Sequence, residues 1–156
     1  MDEQKENALV VANNNQLTTG LFDTENHVKK STSLDITDDK DADMLLNGMA
    51  DADFILNECI GKTIDCIGVY AQEYDQQNTN EESGEVVIRK KHTLMLFDKE
   101  GKSYVTGSNA CYMSFVDIIA IKGMPSRDNV LKLIPVKVPA KDKGKFYLKL
   151  KIGKGE

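Results

Sequence analysis

Thr63-Ile64-Asp65-Cys66-Ile67-Gly68-Val69-Tyr70-Ala71-Gln72-Glu73-Tyr74 is the run on which the fold turns. Its period is two, the spacing of a β-strand. Ile67, Val69 and Ala71 fall on one face, and Ile64, Cys66, Tyr70 and Tyr74 on the other. Both faces are partly apolar, so both meet other parts of the chain. Gly68 inside the run permits a bend or bulge. A long first strand that bends and serves two sheets is how a small barrel closes.

Downstream, Gln76–Glu85 is polar and contains Gly, which predicts a flexible connection. Val86–Phe97 alternates as a second strand, and Asp98-Lys99-Glu100-Gly101 turns the chain into a third, Lys102–Thr106. Ser108 or Asn109 caps a helix over Ala110–Lys122 with an apolar stripe of Cys111, Tyr112, Phe115, Ile118 and Ile119. Gly123 and Pro125 end it. Val130–Val138 is a fourth strand, placed at an edge or bulge by Pro135. The polar turn Lys141–Gly144 leads to a fifth, Phe146–Ile152.

Upstream, residues 38–60 read as a helix. Asp38–Asp43 supply caps and negative charge at its start, and Gly61 a C-cap. Leu45, Met49, Ala52, Leu56 and Cys59 make its apolar face. Residues 1–36 read as a flexible acidic and polar segment, with Leu21-Phe22-Asp23 as an apolar island for docking on the domain or, second, on a partner. Five strands with a helix between the third and fourth is the OB layout. The expectation is an α+β, mainly β chain: a five-stranded OB-type Greek-key barrel within 37–156, preceded by a helix.

The last strand carries the sharpest chemistry. Phe146, Leu148, Leu150 and Ile152 form a core face; Lys145, Tyr147, Lys149 and Lys151 form the other. Cations for phosphates around a ring on which any base can stack are what a sequence-tolerant single-strand site needs. The same residues also suit an edge strand kept soluble by lysines. The second strand repeats the theme with Arg89, Lys91, Thr93 and Phe97 on one face, and Lys102 and Tyr104 follow on its hairpin partner. Lys137, with Lys141 and Lys143, extends the surface near the last turn. Tyr74 is read with the site; Tyr70 is read as core.

Charge is divided along the chain. Through Ser83 there are 18 Asp and Glu against 5 Lys; from Gly84 onward, 7 acids stand against 15 bases. A basic module beside an acidic segment favours a polyanion partner. The acidic half also supports a second reading, a factor that contacts a basic host or replication protein.

Catalytic signatures are sparse. The two histidines, His27 and His92, lie in segments of different character, and no Walker loop, Cys-x-x-Cys or His-Glu-x-x-His occurs. Aspartates between Asp35 and Asp53 suggest a metal-dependent nuclease, but helix capping accounts for them more simply. No enzyme activity, cofactor or metal is expected. Cys59, Cys66 and Cys111 are an odd set that fits free thiols in a reducing compartment. No run is long enough to span a bilayer, and the first residues lack the pattern of a secretory signal.

Scattered positions along most of the chain carry a resemblance. They include Asn47-Gly48-Met49-Ala50-Asp51-Ala52-Asp53, Leu56-Asn57-Glu58-Cys59-Ile60, Asp98-Lys99-Glu100-Gly101-Lys102-Ser103-Tyr104 and Leu148-Lys149-Leu150-Lys151-Ile152. In these the chain resembles the single-stranded DNA-binding proteins of tailed phages that infect Gram-positive bacteria. The resemblance implies that it coats phage DNA during replication in the cytoplasm of the bacterial host, with single-stranded DNA and replication proteins as partners. It assigns no contact residues.

Overall fold

The computed structural model describes residues 28–142 and 144–153. It is a mixed α+β structure in which a seven-stranded sheet curls into an open half-barrel beside two helices. The elements are β1 (Val28–Thr32), α1 (Asp39–Ala50), β2 (Phe54–Ile55), a 3-10 turn (Leu56–Glu58), β3 (Ile64–Thr79), β4 (Val86–Asp98), β5 (Ser103–Thr106), α2 (Asn109–Lys122), β6 (Leu131–Pro139) and β7 (Phe146–Ile152). Their order across the sheet is β2-β5-β4-β3-β6-β7, and β1 joins the second edge of β3.

β3 organises the sheet. At its start, Ile64–Cys66 pair with Leu131–Leu133 of β6. Beyond Gly68 the same edge pairs with β1, while the opposite edge pairs with β4 as far as Thr79. The β3–β4 register slips between Cys66 and Gly68. This irregularity changes the facing deduced from alternation. Ile64, Cys66 and Val69 all enter the inner core, whereas Tyr70 joins a second core on the outside. Gly68 is needed there because a Cβ would overlap Leu34 Cδ2.

The inner core joins Leu94, Leu96, Leu133, Leu148 and Leu150 to Phe115 of α2. The outer core lies under α1, where Leu45 meets Tyr70, Met95 and Phe97. Asp38 caps α1 by accepting from the Asp41 amide. Among the described residues β5 and β7 do not pair. α2 spans the gap instead: at its cap the Ser108 amide donates to Thr106 Oγ1 of β5 at 3.2 Å, and on the other side the Leu150 amide of β7 donates to Ser114 Oγ at 2.9 Å. The chain after the 3-10 turn is tied to β6 by the bond from Gly61 N to Pro135 O, 2.8 Å. Pro135 lies past the last β3 contact, where β6 has a single strand neighbour among the described residues and a missing N–H costs nothing.

Several expectations need correction. The upstream helix stops at Ala50 rather than 60. Asp53 Oδ2 accepts from the Ser103 amide at 2.9 Å and so pins the chain alongside β5, where Phe54 and Ile55 pair as β2. Residues 28–32, placed in the loose segment, pair with Tyr70–Tyr74. The first four residues of the stretch read as a flexible connection, Gln76–Thr79, belong to β3, and residues 80–85 turn, closed by Asn80 N to Glu85 O at 2.7 Å. The Leu21-Phe22-Asp23 island, His27 and Lys143 lie outside the described residues.

Candidate nucleic-acid interface

β7 places its side chains as its alternation requires. Leu148 and Leu150 are buried, while Lys145, Tyr147, Lys149 and Lys151 are exposed, Tyr147 at 52 %. Lys145 Nζ is 3.8 Å from Asp142 Oδ2 on an open turn, a contact of little energetic weight. Lys149 and Lys151 form no ion pair among the described residues. Tyr147 and Lys149 border a shallow depression of about 300 Å³ with Ala110, Met113, Ser114 and Asp117 of α2. Lys137 lies on the other face of the β6–β7 hairpin, opposite Leu148, with Nζ 5.9 Å from the ring centroid of Phe146. Phe146 was read as core but is exposed, because it pairs with Pro139 where the hairpin runs past the core.

A second basic group stands on the β3–β4 ribbon beyond the barrel. Tyr74 pairs with Lys91, and Gln76 with Arg89, so the ring and both cations share one face. Arg89 is exposed; Tyr74 and Lys91 are half-buried. Lys90 points to the opposite face, 3.2 Å from Glu73 and 3.5 Å from Asp75. Its hydrogen bond holds the Glu73 carboxyl below the usual range. The first turn of α2 touches both strands, but on other faces than the two basic groups: Asn109 Oδ1 is 3.0 Å from His92 Nδ1, on the face of β4 opposite Arg89 and Lys91, and Ser108 reaches Leu148 of β7.

Two proposed stacking rings are corrected. Phe97 is fully buried beneath α1, so close to Gly48 that a Cβ there would sit 2.9 Å from its ring. Tyr104 is 2 % exposed and faces the inner core. Its Oη donates to Asp98 Oδ2 at 2.8 Å, and its ring stacks on Phe54 with centroids 5.0 Å apart. Burial, reinforced by Asp98, pushes the Tyr104 phenol up. Lys102 is exposed but borders a cleft shared with Asp43, Asp51 and Glu100, an acidic setting unsuited to a phosphate. Helix α1 therefore covers the base of the outer β4 face on which the sequence placed part of the site.

Other polar residues are engaged in the fold. His92 stacks on Tyr112 at 4.0 Å and lies 3.4 Å from Glu73 through Nε2. Asp41 pairs with Arg127 at 2.8 Å, joining α1 to the loop before β6. Among the described residues, no group of three His, Cys, Asp or Glu is placed to hold a metal ion. No described helix is long and apolar enough to cross a membrane. Phe54, 38 % exposed with Lys62 Nζ 4.6 Å from its ring centroid, was missed by sequence reasoning because it fell inside the expected helix. Compared with family models, curated proteins and solved structures, the chain matches none.

Proposed function

We propose that this chain binds single-stranded DNA without sequence specificity, through an OB-type barrel formed by β3–β7 and α2. The pairings β3–β4, β4–β5, β3–β6 and β6–β7, with α2 across the gap between β5 and β7, support that reading of the fold. The observation that carries the function is the exposed Tyr147 ring on the same strand face as Lys149 and Lys151, which form no ion pair among the described residues. Such cations exchange their counterions for phosphates, and the ring offers a stacking platform. Arg89, Lys91 and Tyr74 form a second group of cations and a ring, on one face of the β3–β4 ribbon. Phe97, Tyr104 and Lys102 are no longer part of the site. A role in phage DNA replication in a bacterial host rests on the family resemblance.

The chain has five tyrosines and no tryptophan, so tyrosine fluorescence reports directly on stacking. Titration with an oligothymidylate should quench it, with an affinity that falls steeply as salt is added. Duplex DNA should bind more weakly, because its bases are not free to stack on the protein. Equal affinity for duplex and single strand rejects the proposal.

A further inference from the structure

We infer that the depression between α2 and β7 is a base-reading pocket in which Asp117 makes guanine the preferred occupant. The inference rests on the single-strand reading and deepens it. Tyr147 and Lys149 border the depression from β7, and Met113 and Asp117 border it from α2. Ala110 and Ser114 complete the rim, and Ser114 Oγ is already engaged by the Leu150 amide and the Cys111 carbonyl. The Asp117 carboxylate makes no hydrogen bond or ion pair with any described residue, although Lys149 borders the same depression. The pocket therefore presents an exposed ring, a polarizable thioether, and a cation and a carboxylate that are unpaired among the described residues.

These groups are not equivalent toward the four bases. An ionised carboxylate has two acceptor oxygens and no donor. Guanine offers two adjacent donors on its pairing edge, the N1 proton and the N2 amine, which match both oxygens. Its O6 and N7 accept from a lysine. Cytosine and adenine each offer one amine beside a ring-nitrogen acceptor that repels the carboxylate. Thymine offers one N–H flanked by two carbonyl oxygens. A base stacked on Tyr147 with its edge toward Asp117 is thus best matched when it is guanine. Elsewhere along the strand, stacking and phosphate contacts remain indifferent to sequence.

The test is a set of short oligothymidylates carrying one guanosine, inosine, adenosine or cytidine at a central position, titrated into the full chain at one fixed salt concentration. A single guanosine avoids self-association of guanine runs. The guanosine strand should bind about five- to tenfold tighter than plain oligothymidylate, at the low end for a bidentate pair in an open site. Inosine, which lacks the N2 amine, should lose most of that gain. Asp117→Asn should abolish the preference, because an amide sets a donor beside its acceptor. Equal binding of all strands by the unaltered protein overturns the base-reading pocket and leaves single-strand binding standing. A preference that survives Asp117→Asn overturns the role of Asp117. Failure to bind any strand overturns both readings.

Discussion

The amide of Leu150 donates a 2.9 Å hydrogen bond to Ser114 Oγ, so on the edge of β7 that lacks a strand neighbour among the described residues this N–H is satisfied by a helix side chain. Ser114 Oγ donates in turn to the Cys111 carbonyl at 2.8 Å. Ser114→Ala leaves the Leu150 N–H without its acceptor beside the core. Such a loss costs about 1–3 kcal/mol. Urea denaturation should show a lower midpoint with an unchanged slope, and an unchanged midpoint contradicts the bridging role of α2.

Tyr147→Ala should weaken single-strand binding by about 1–3 kcal/mol, the worth of one stacked base. Lys149→Ala should instead reduce the salt dependence, by about 0.7 in the slope of log affinity against log salt for one lost phosphate contact. Both side chains are exposed, so neither change should shift the thermal midpoint much. Full affinity in both variants removes β7 from the interface.

Tyr104→Phe separates core from interface. The change deletes the bond to Asp98 Oδ2, while Asp98 Oδ1 keeps the amides of Glu100 and Lys102 at 2.9 Å. Stability should fall by about 1–2 kcal/mol, because the acceptor is a carboxylate. DNA affinity should not change, and a large loss of affinity with stability intact would return Tyr104 to the binding surface.

Gly68→Ala tests the bend in β3. The added Cβ would overlap Leu34 Cδ2, in the buried contact between the segment after β1 and the sheet. Overpacking of this kind costs about 1–3 kcal/mol. A lower denaturation midpoint is expected, together with faster amide exchange in β1. An unchanged midpoint means that Leu34 moves aside freely.

Burial pushes the Cys66 and Cys111 thiols from 9.0 up to about 12. Between those values the unfolded chain releases protons that the folded chain retains, so folding is disfavoured as pH rises. The thiol contribution is complete below about pH 9 and declines toward 12. Denaturation midpoints should therefore drop above pH 9. At neutral pH an alkylating reagent should label half-buried Cys59 first and reach the other two only on unfolding. Fast labelling of Cys66 in the native protein contradicts its burial.

The sequence determined by itself what depends on near neighbours. Alternation from Phe146 to Ile152 placed Leu148 and Leu150 inward and Tyr147, Lys149 and Lys151 outward. Ser108 and Gly123 bounded α2, with the Ser108 side chain accepting from the Cys111 amide. These patterns survive because one strand face or one helix turn is set within a few residues of itself.

Only the tertiary structure decided the fate of Phe97 and Tyr104, two rings that alternation had assigned to an open surface. Phe97 does face outward from β4, but α1 packs over it. Tyr104 pairs with Leu96 and turns inward to Asp98 and Phe54. Asp53, bonded to Ser103 fifty residues away in sequence, likewise ended the expected helix early. Which side of a sheet meets solvent is fixed by what packs on it. That energy lies in contacts between distant segments, which no local period records.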